Sequence, residues 1–143
     1  MYKRSTGKIN YVSEDLLKAQ VKIPITYRNK NYVGSIFGGS LFSATDPVFM
    51  IQLINILGDK YVVWDKEAIM KFKRPAKQDA YVDFVFSEEE IEQIKKQTEE
   101  EQEINLIKDI KITNKDKSVV FAEVSKTIYI ADKIYYKNKR KKK

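Results

Sequence analysis

Between Val33 and Gly58 the chain runs 26 residues, and Asp46 is the only charged one among them. An unpaired carboxylate buried in such a run costs several kcal/mol, or its pKa climbs until the group is neutral. Two readings follow. Either Asp46 is kept for a use inside an apolar helix, or Asp46-Pro47 is an N-cap followed by proline at the first helical position, and the helix starts there. Gly38-Gly39 precedes it by a few residues. Adjacent glycines opening a helix let a carbonyl come close to unpaired backbone N–H groups. The positive end of the helix dipole adds to their pull, so such a terminus suits an anion or a developing oxyanion. A glycine pair by itself is equally a turn.

What is missing narrows the chemistry further. The sequence has no cysteine and no histidine. Disulfides, thiolate nucleophiles and cysteine metal sites are excluded, as are the serine–histidine triad and every imidazole base. No metal site is expected. Any catalysis must use carboxylates, hydroxyls, lysines and backbone dipoles. One lysine stands out. Val62, Trp64, Ala68, Met70 and Phe72 alternate along one strand face, and Lys66 falls in register with them. A lysine on an apolar face needs a partner, either Asp46 or a ligand anion. A bulge that turns Lys66 to solvent is the alternative.

These residues need a frame to hold them. Ser13-Glu14-Asp15 reads as the cap of a short helical turn to about Ala19. Val21, Ile23, Ile25 and Tyr27 then alternate with polar residues as a half-buried strand, with Pro24 marking an edge or bulge. Gly39 to Leu57 is apolar nearly all round, so it predicts one helix covered on every side and closed at Gly58-Asp59. The long strand from Val62 ends at Arg74-Pro75. Val82, Phe84 and Phe86 make a third strand. Ser87-x-x-Glu90 is a capping box that opens a charged surface helix to about Glu100. Ile104, Leu106, Ile110 and Ile112 form a fourth strand, and Val120, Ala122, Val124, Ile128 and Ile130 a fifth, joined by a turn at Asn114–Lys117. The order predicts an α+β fold of antiparallel strands around one apolar helix. Bare strand edges favour pairing with a second copy.

At 143 residues the chain fits a single domain, assigned to residues 1–136. Its net charge of +7 is concentrated at the end, where six of the seven residues from Lys137 to Lys143 are basic. That leaves a net of only +1, seven less six, on the rest. Residues 137–143 read as a solvated basic tail, and no nucleic-acid partner is expected. Met1–Asn10 is too polar for a signal peptide, and Gly34, Gly38, Gly39, Asp46 and Pro47 interrupt the run nearest to a membrane span. A cytoplasmic protein with no membrane span is the expectation.

The pattern Asn31-x-x-Gly34, then Gly38-Gly39 at a helix start, then Asp46 seven residues on, resembles the hotdog-fold thioesterases, in particular their phenylacetate-pathway-like branch. The wording Phe37-Gly38-Gly39-Ser40-Leu41-Phe42, Ala44-Thr45-Asp46-Pro47 and Val62-Val63-Trp64-Asp65-Lys66 is similar to a thioesterase-like branch classed as a domain of unknown function. The likeness spans about Val21 to Ile130. It implies a hotdog fold with the site at a dimer interface, in a homodimer or dimer of dimers. It also implies a coenzyme A thioester as substrate, with no further cofactor. Asp46 would be general base or nucleophile, Gly39 the oxyanion donor, and Asn31 the residue orienting water or substrate. Phe37, Gly38, Ser40, Trp64, Lys66 and Arg74 would contact substrate, Arg74 with Lys77 near the coenzyme A phosphates. Phe37 stands where many such enzymes have histidine. Acyl-CoA thioester hydrolysis is the expected activity, and non-catalytic acyl-CoA or lipid binding the alternative. Hotdog dehydratases use a histidine, which this chain lacks.

Overall fold

The structure is a computed structural model and describes residues 6–142. Met1–Ser5 of the polar N-terminus and Lys143 of the basic run lie outside the described residues. In chain order the elements are β1 (Lys8–Val12), β2 (Lys18–Ile23), α1 (Gly38–Thr45), α2 (Val48–Leu57), β3 (Tyr61–Phe72) and β4 (Ala80–Val85). They continue with α3 (Glu88–Glu101), β5 (Glu103–Thr113), β6 (Val120–Asp132) and α4 (Lys133–Lys141). Six strands form one sheet in the order β1-β2-β4-β5-β6-β3, and every neighbouring pair is antiparallel. The α+β hotdog architecture expected from the sequence is the one observed: a sheet curled around a central helical segment.

The inner face follows from the period-two pattern. Ala122, Val124, Ile128 and Ile130 of β6 and Ile112 of β5 are buried, as are Val82 and Phe84 of β4 and Val21 and Ile23 of β2. Against them pack Leu41 and Ala44 of α1 and Phe49, Leu53 and Leu57 of α2. Phe49 stands edge-on to Phe84 at 5.0 Å and to Phe86 at 5.4 Å. Such pairs add about 1 kcal/mol beyond their buried area. The capping box at Ser87 and Glu90 is formed. Its helix is more than a surface excursion, because Ile91 and Ile94 join the core and Thr98 is buried.

Several further readings change. Ser13–Asp15 is a hairpin turn rather than a helical one: Lys18 N donates to Ser13 Oγ at 3.0 Å, and Ser13 N to the Lys18 carbonyl at 2.9 Å. It joins β2 to β1, a strand exposed at every position and therefore without an alternating signal. The strand over Val21–Tyr27 is β2, shifted back to Lys18–Ile23, because Pro24 ends the ladder and Tyr27 lies exposed. The single helix over Gly39–Leu57 is two helices broken at Asp46-Pro47. It is not covered on every side either, since Ile51 and Ile54 are about half exposed. By length and composition Gly38–Leu57 would pass for a membrane span, but its inward face is committed to the sheet.

Another change is in β3. Asp65 pairs with Ile128 and Glu67 with Thr127, so Lys66 is the extra residue of a β-bulge. A bulge swaps the faces on either side of it. Val63 and Asp65 therefore share the inner face with Ala68, Met70 and Phe72, while Trp64 turns outward. The basic run is partly helical as well. Residues 137–141 belong to α4, capped by Asp132, whose carboxylate accepts from Tyr135 N at 3.0 Å.

Candidate functional site at the broken helix

Pro47 has no amide hydrogen to return to the preceding turn, so the helical ladder is interrupted there. The backbone nevertheless stays right-handed, with Asp46 at φ −54°, ψ −54° and Pro47 at φ −90°, ψ −6°. Asp46 ends α1, its amide donating to the Phe42 carbonyl at 3.1 Å. It is therefore not an N-cap. Its side chain is 53% exposed, which removes the penalty that full burial would carry.

The partner of Asp46 is Lys126, not Lys66. Lys126 follows Val124 and precedes Ile128 on the inner face of β6, and only 1% of its side chain is exposed. Its ammonium lies 3.1 Å from Asp46 Oδ1 and 3.0 Å from Asp65 Oδ2, and it also donates to the Asp46 main-chain carbonyl. The bulge supplies Asp65, because only with the extra residue does position 65 face inward. Burial pushes the Asp65 carboxyl above its ordinary value; Lys126 pulls it back down and Asp46 adds to the rise. Asp65 Oδ1 is buried with no hydrogen-bond donor among the described residues. Lys66 is exposed, with its ammonium 3.5 Å from Asn105 Oδ1.

A second inner-face lysine is the cross-strand partner of the first. Lys108 pairs with Lys126 in the β5–β6 register. Like charges placed opposite one another repel. Here they lean apart: Lys108 donates to Glu90 at 2.8 Å and to the Val85 carbonyl at 2.9 Å, over the Phe86 ring at 4.6 Å. Sequence reading passed over both lysines. Each interrupts an otherwise clean apolar alternation, and that interruption was the available signal.

At the other end of α1 the Phe37 carbonyl accepts from the amides of Ser40 at 2.9 Å and Leu41 at 3.3 Å. The Gly38 and Gly39 amides have no backbone acceptor among the described residues. A Cβ on Gly39 would sit 2.5 Å from the Phe37 ring, and one on Gly38 would sit 2.9 Å from the Phe72 ring. Glycine is what allows both rings to close on the helix start. Phe72 thus brings the end of β3 beside Gly38, and Ile36 N donates to the Ala76 carbonyl at 2.8 Å. The exposed Arg74 lies between these two contacts in sequence.

Asn31 uses its side-chain oxygen on its own loop, accepting from the amides of Val33 and Ser35 and the Ser35 hydroxyl at 3.1–3.2 Å. Asn29, which the sequence did not single out, is the buried anchor: it accepts from Thr26 N at 2.9 Å and donates to the Pro24 carbonyl at 2.8 Å. Its own carbonyl accepts from Phe37 N at 2.6 Å. Trp64 is not brought to Asp46. It lies on the outer face against Tyr129 and Tyr136, both at 5.4 Å. Ser40 sits partly exposed at the helix start. Among the described residues no three carboxylates gather as a metal site.

The sequence pattern of a domain of unknown function, DUF4442, matches residues 5–130. The chain belongs to the DUF4442 family. No curated protein matches this DUF4442 chain. Solved structures do. A protein of unknown function from Pseudomonas aeruginosa, described as a probable thioesterase, superposes with a TM-score of 0.78 at 22% identity, covering 91% of this chain and 85% of that one. A protein of unknown function from Chlorobaculum tepidum gives 0.72 at 17% identity, covering 91% and 85%. A thioesterase from Haemophilus influenzae gives 0.63 at 11% identity, covering 91% and 81%. At these identities the likeness is one of fold. This DUF4442 chain shares their hotdog architecture.

Proposed function

We propose that this protein hydrolyses acyl thioesters of coenzyme A, with Asp46 as general base. The observation that carries the reading is the state of Asp46: a half-exposed carboxylate at the helix break, with one oxygen held by Lys126 at 3.1 Å and the other bonded to no donor among the described residues. That second oxygen would take a proton from water as the water attacks the thioester carbonyl carbon. Negative charge on the carbonyl oxygen would be received by the Gly39 amide at the positive end of α1. The C–S bond then breaks, the proton passes from Asp46 to the departing sulfur, and the products are free thiol and a carboxylic acid that gives its remaining proton to solvent. The exposed Arg74 and Lys77, in the segment that follows β3, would meet the phosphates. Asn31, its oxygen committed to the loop, would offer only its amide nitrogen to water or substrate. The solved structures described as thioesterases support the reading through fold.

Helix geometry supports a site shared between two chains. Asp46 follows Gly39 by seven residues, so the two share a helix face but stand roughly 10 Å apart along the axis. The general base must reach the attacking water and the oxyanion donor the carbonyl oxygen, each at about 3 Å. The separation along α1 favours a donor brought by a second chain over one on the same helix. A second copy would bring its own Gly39 to Asp46, and β3 offers the means. It is a 12-residue strand at the sheet edge, flanked by the half-exposed Ile51 and Ile54.

One observation favours the alternative of non-catalytic acyl-CoA binding. Phe37 occupies the position where a polar donor would face the carbonyl, and its ring covers Gly39. Release of free thiol from a panel of acyl-CoAs by the purified protein separates the two. Turnover supports hydrolysis, and tight binding without turnover supports the alternative.

A further inference from the structure

We infer that Lys126 and Asp65 are positioning residues for Asp46: Lys126 locks the carboxylate in one orientation, and Asp65 locks Lys126. The inference rests on the reading of Asp46 given above. An ammonium has three hydrogens, and the geometry uses all three, on Asp46 Oδ1, the Asp46 main-chain carbonyl and Asp65 Oδ2. Two of the three bonds go to Asp46. One fixes its side chain and the other fixes its backbone, at the carbonyl where the helix breaks. A half-exposed aspartate without such a clamp would sample several rotamers, and a misplacement of about 1 Å can cost a hundredfold in rate.

Asp65 completes the clamp from the opposite side. It reaches Lys126 only because Lys66 is bulged out of the β3–β6 ladder. Bulges of this kind re-aim a side chain. The bulge converts what would be an outward aspartate into the second anchor of a buried lysine. A purely structural plug would need neither the carbonyl contact nor the free oxygen left on Asp46, since a buried ion pair is often replaced by apolar residues without loss of stability.

The test compares kcat and KM for an acyl-CoA that the wild type hydrolyses, with Tm measured alongside, in Asp46→Asn, Lys126→Met, Lys126→Arg, Asp65→Asn and the double variant Asp46→Asn/Lys126→Met. Positioning predicts that Lys126→Met lowers kcat roughly 10- to 100-fold with KM within about threefold. Lys126→Arg should recover part of the loss, and Asp65→Asn should lower kcat about three- to tenfold. The double variant should be no slower than Asp46→Asn alone, because Lys126 acts through Asp46. Unchanged kcat in Lys126→Met, or losses that multiply in the double variant, overturns the inference. If Lys126→Met does not fold, the cycle of Asp65→Asn with Asp46→Asn decides on the same criterion. A silent Asp46→Asn would instead show that the reading of Asp46 itself had failed, and this inference with it.

Discussion

Lys126 and Asp46 meet across 80 residues of sequence, ammonium to carboxylate at 3.1 Å, at the point where the apolar helix breaks. A lysine from the last strand thereby fixes the one charge in the helix. Each α1 carries both halves of the candidate site: at Gly38 and Gly39, amides without a backbone acceptor among the described residues, and at Asp46 a clamped carboxylate.

The two lysines considered for Asp46 should behave oppositely. Lys66 is exposed in a bulge, so Lys66→Ala should change stability by less than about 0.5 kcal/mol. Lys126→Ala removes the cation from between two carboxylates and leaves a cavity, and should cost about 3 kcal/mol or more. Denaturant unfolding of the two variants checks this. Equal effects would contradict the face assignment of β3.

This contrast also shows how far the sequence could be read. Period-two counting recovers β4, β5 and β6, because apart from Lys108 and Lys126 the inner positions of their central stretches are apolar. It leaves β3 open, where Val62-Val63-Trp64 is apolar on both faces and either register fits; the misfit of Lys66 on the apolar face was the trace of the bulge, and the reading that turned Lys66 to solvent is the one observed. β1 is exposed throughout and carries no alternation to find. The run from Gly38 to Leu57 was legible as helix and Pro47 as the residue able to break it, but the bond that Lys126 donates to the Asp46 carbonyl at the break joins residues 80 apart and was not. Asp46, Gly38 and Gly39 were legible as a candidate site; Lys126 and Asp65 required the register.

The end of the chain should show a pH dependence. The Tyr129 hydroxyl, then the Lys139 ammonium at 2.9 Å, hold the Glu103 carboxyl below its ordinary value of 4.5. A carboxylate whose folded pKa lies below its unfolded one contributes stability that is fully present above 4.5 and lost as pH falls through the folded value. Wild type should therefore melt higher than Glu103→Gln at pH 7, with the gap narrowing as pH drops below 4.5. A gap that stays constant down to pH 3 would contradict the network joining α4 to the sheet.

Gly39→Ala places a methyl group 2.5 Å from the Phe37 ring. Phe37 is 59% exposed, so its ring can swing away, and stability should change by no more than about 1 kcal/mol. The methyl still obstructs approach to the amide, so thiol release should fall at least about tenfold. Full activity in a well-folded Gly39→Ala would remove this amide from the mechanism.

The central claim is that Asp46 accepts the proton of the attacking water, and the rate of free-thiol release by wild type and Asp46→Asn tests it directly. Asparagine keeps the size and the hydrogen-bonding shape but is not a base. Turnover should fall by roughly 10²- to 10⁴-fold while KM stays within a few fold. Tm should change little, because the side chain is half exposed and Lys126 keeps Asp65 and the Asp46 carbonyl. An Asp46→Asn protein that releases thiol at the wild-type rate, from a thioester the wild type hydrolyses, would contradict the account.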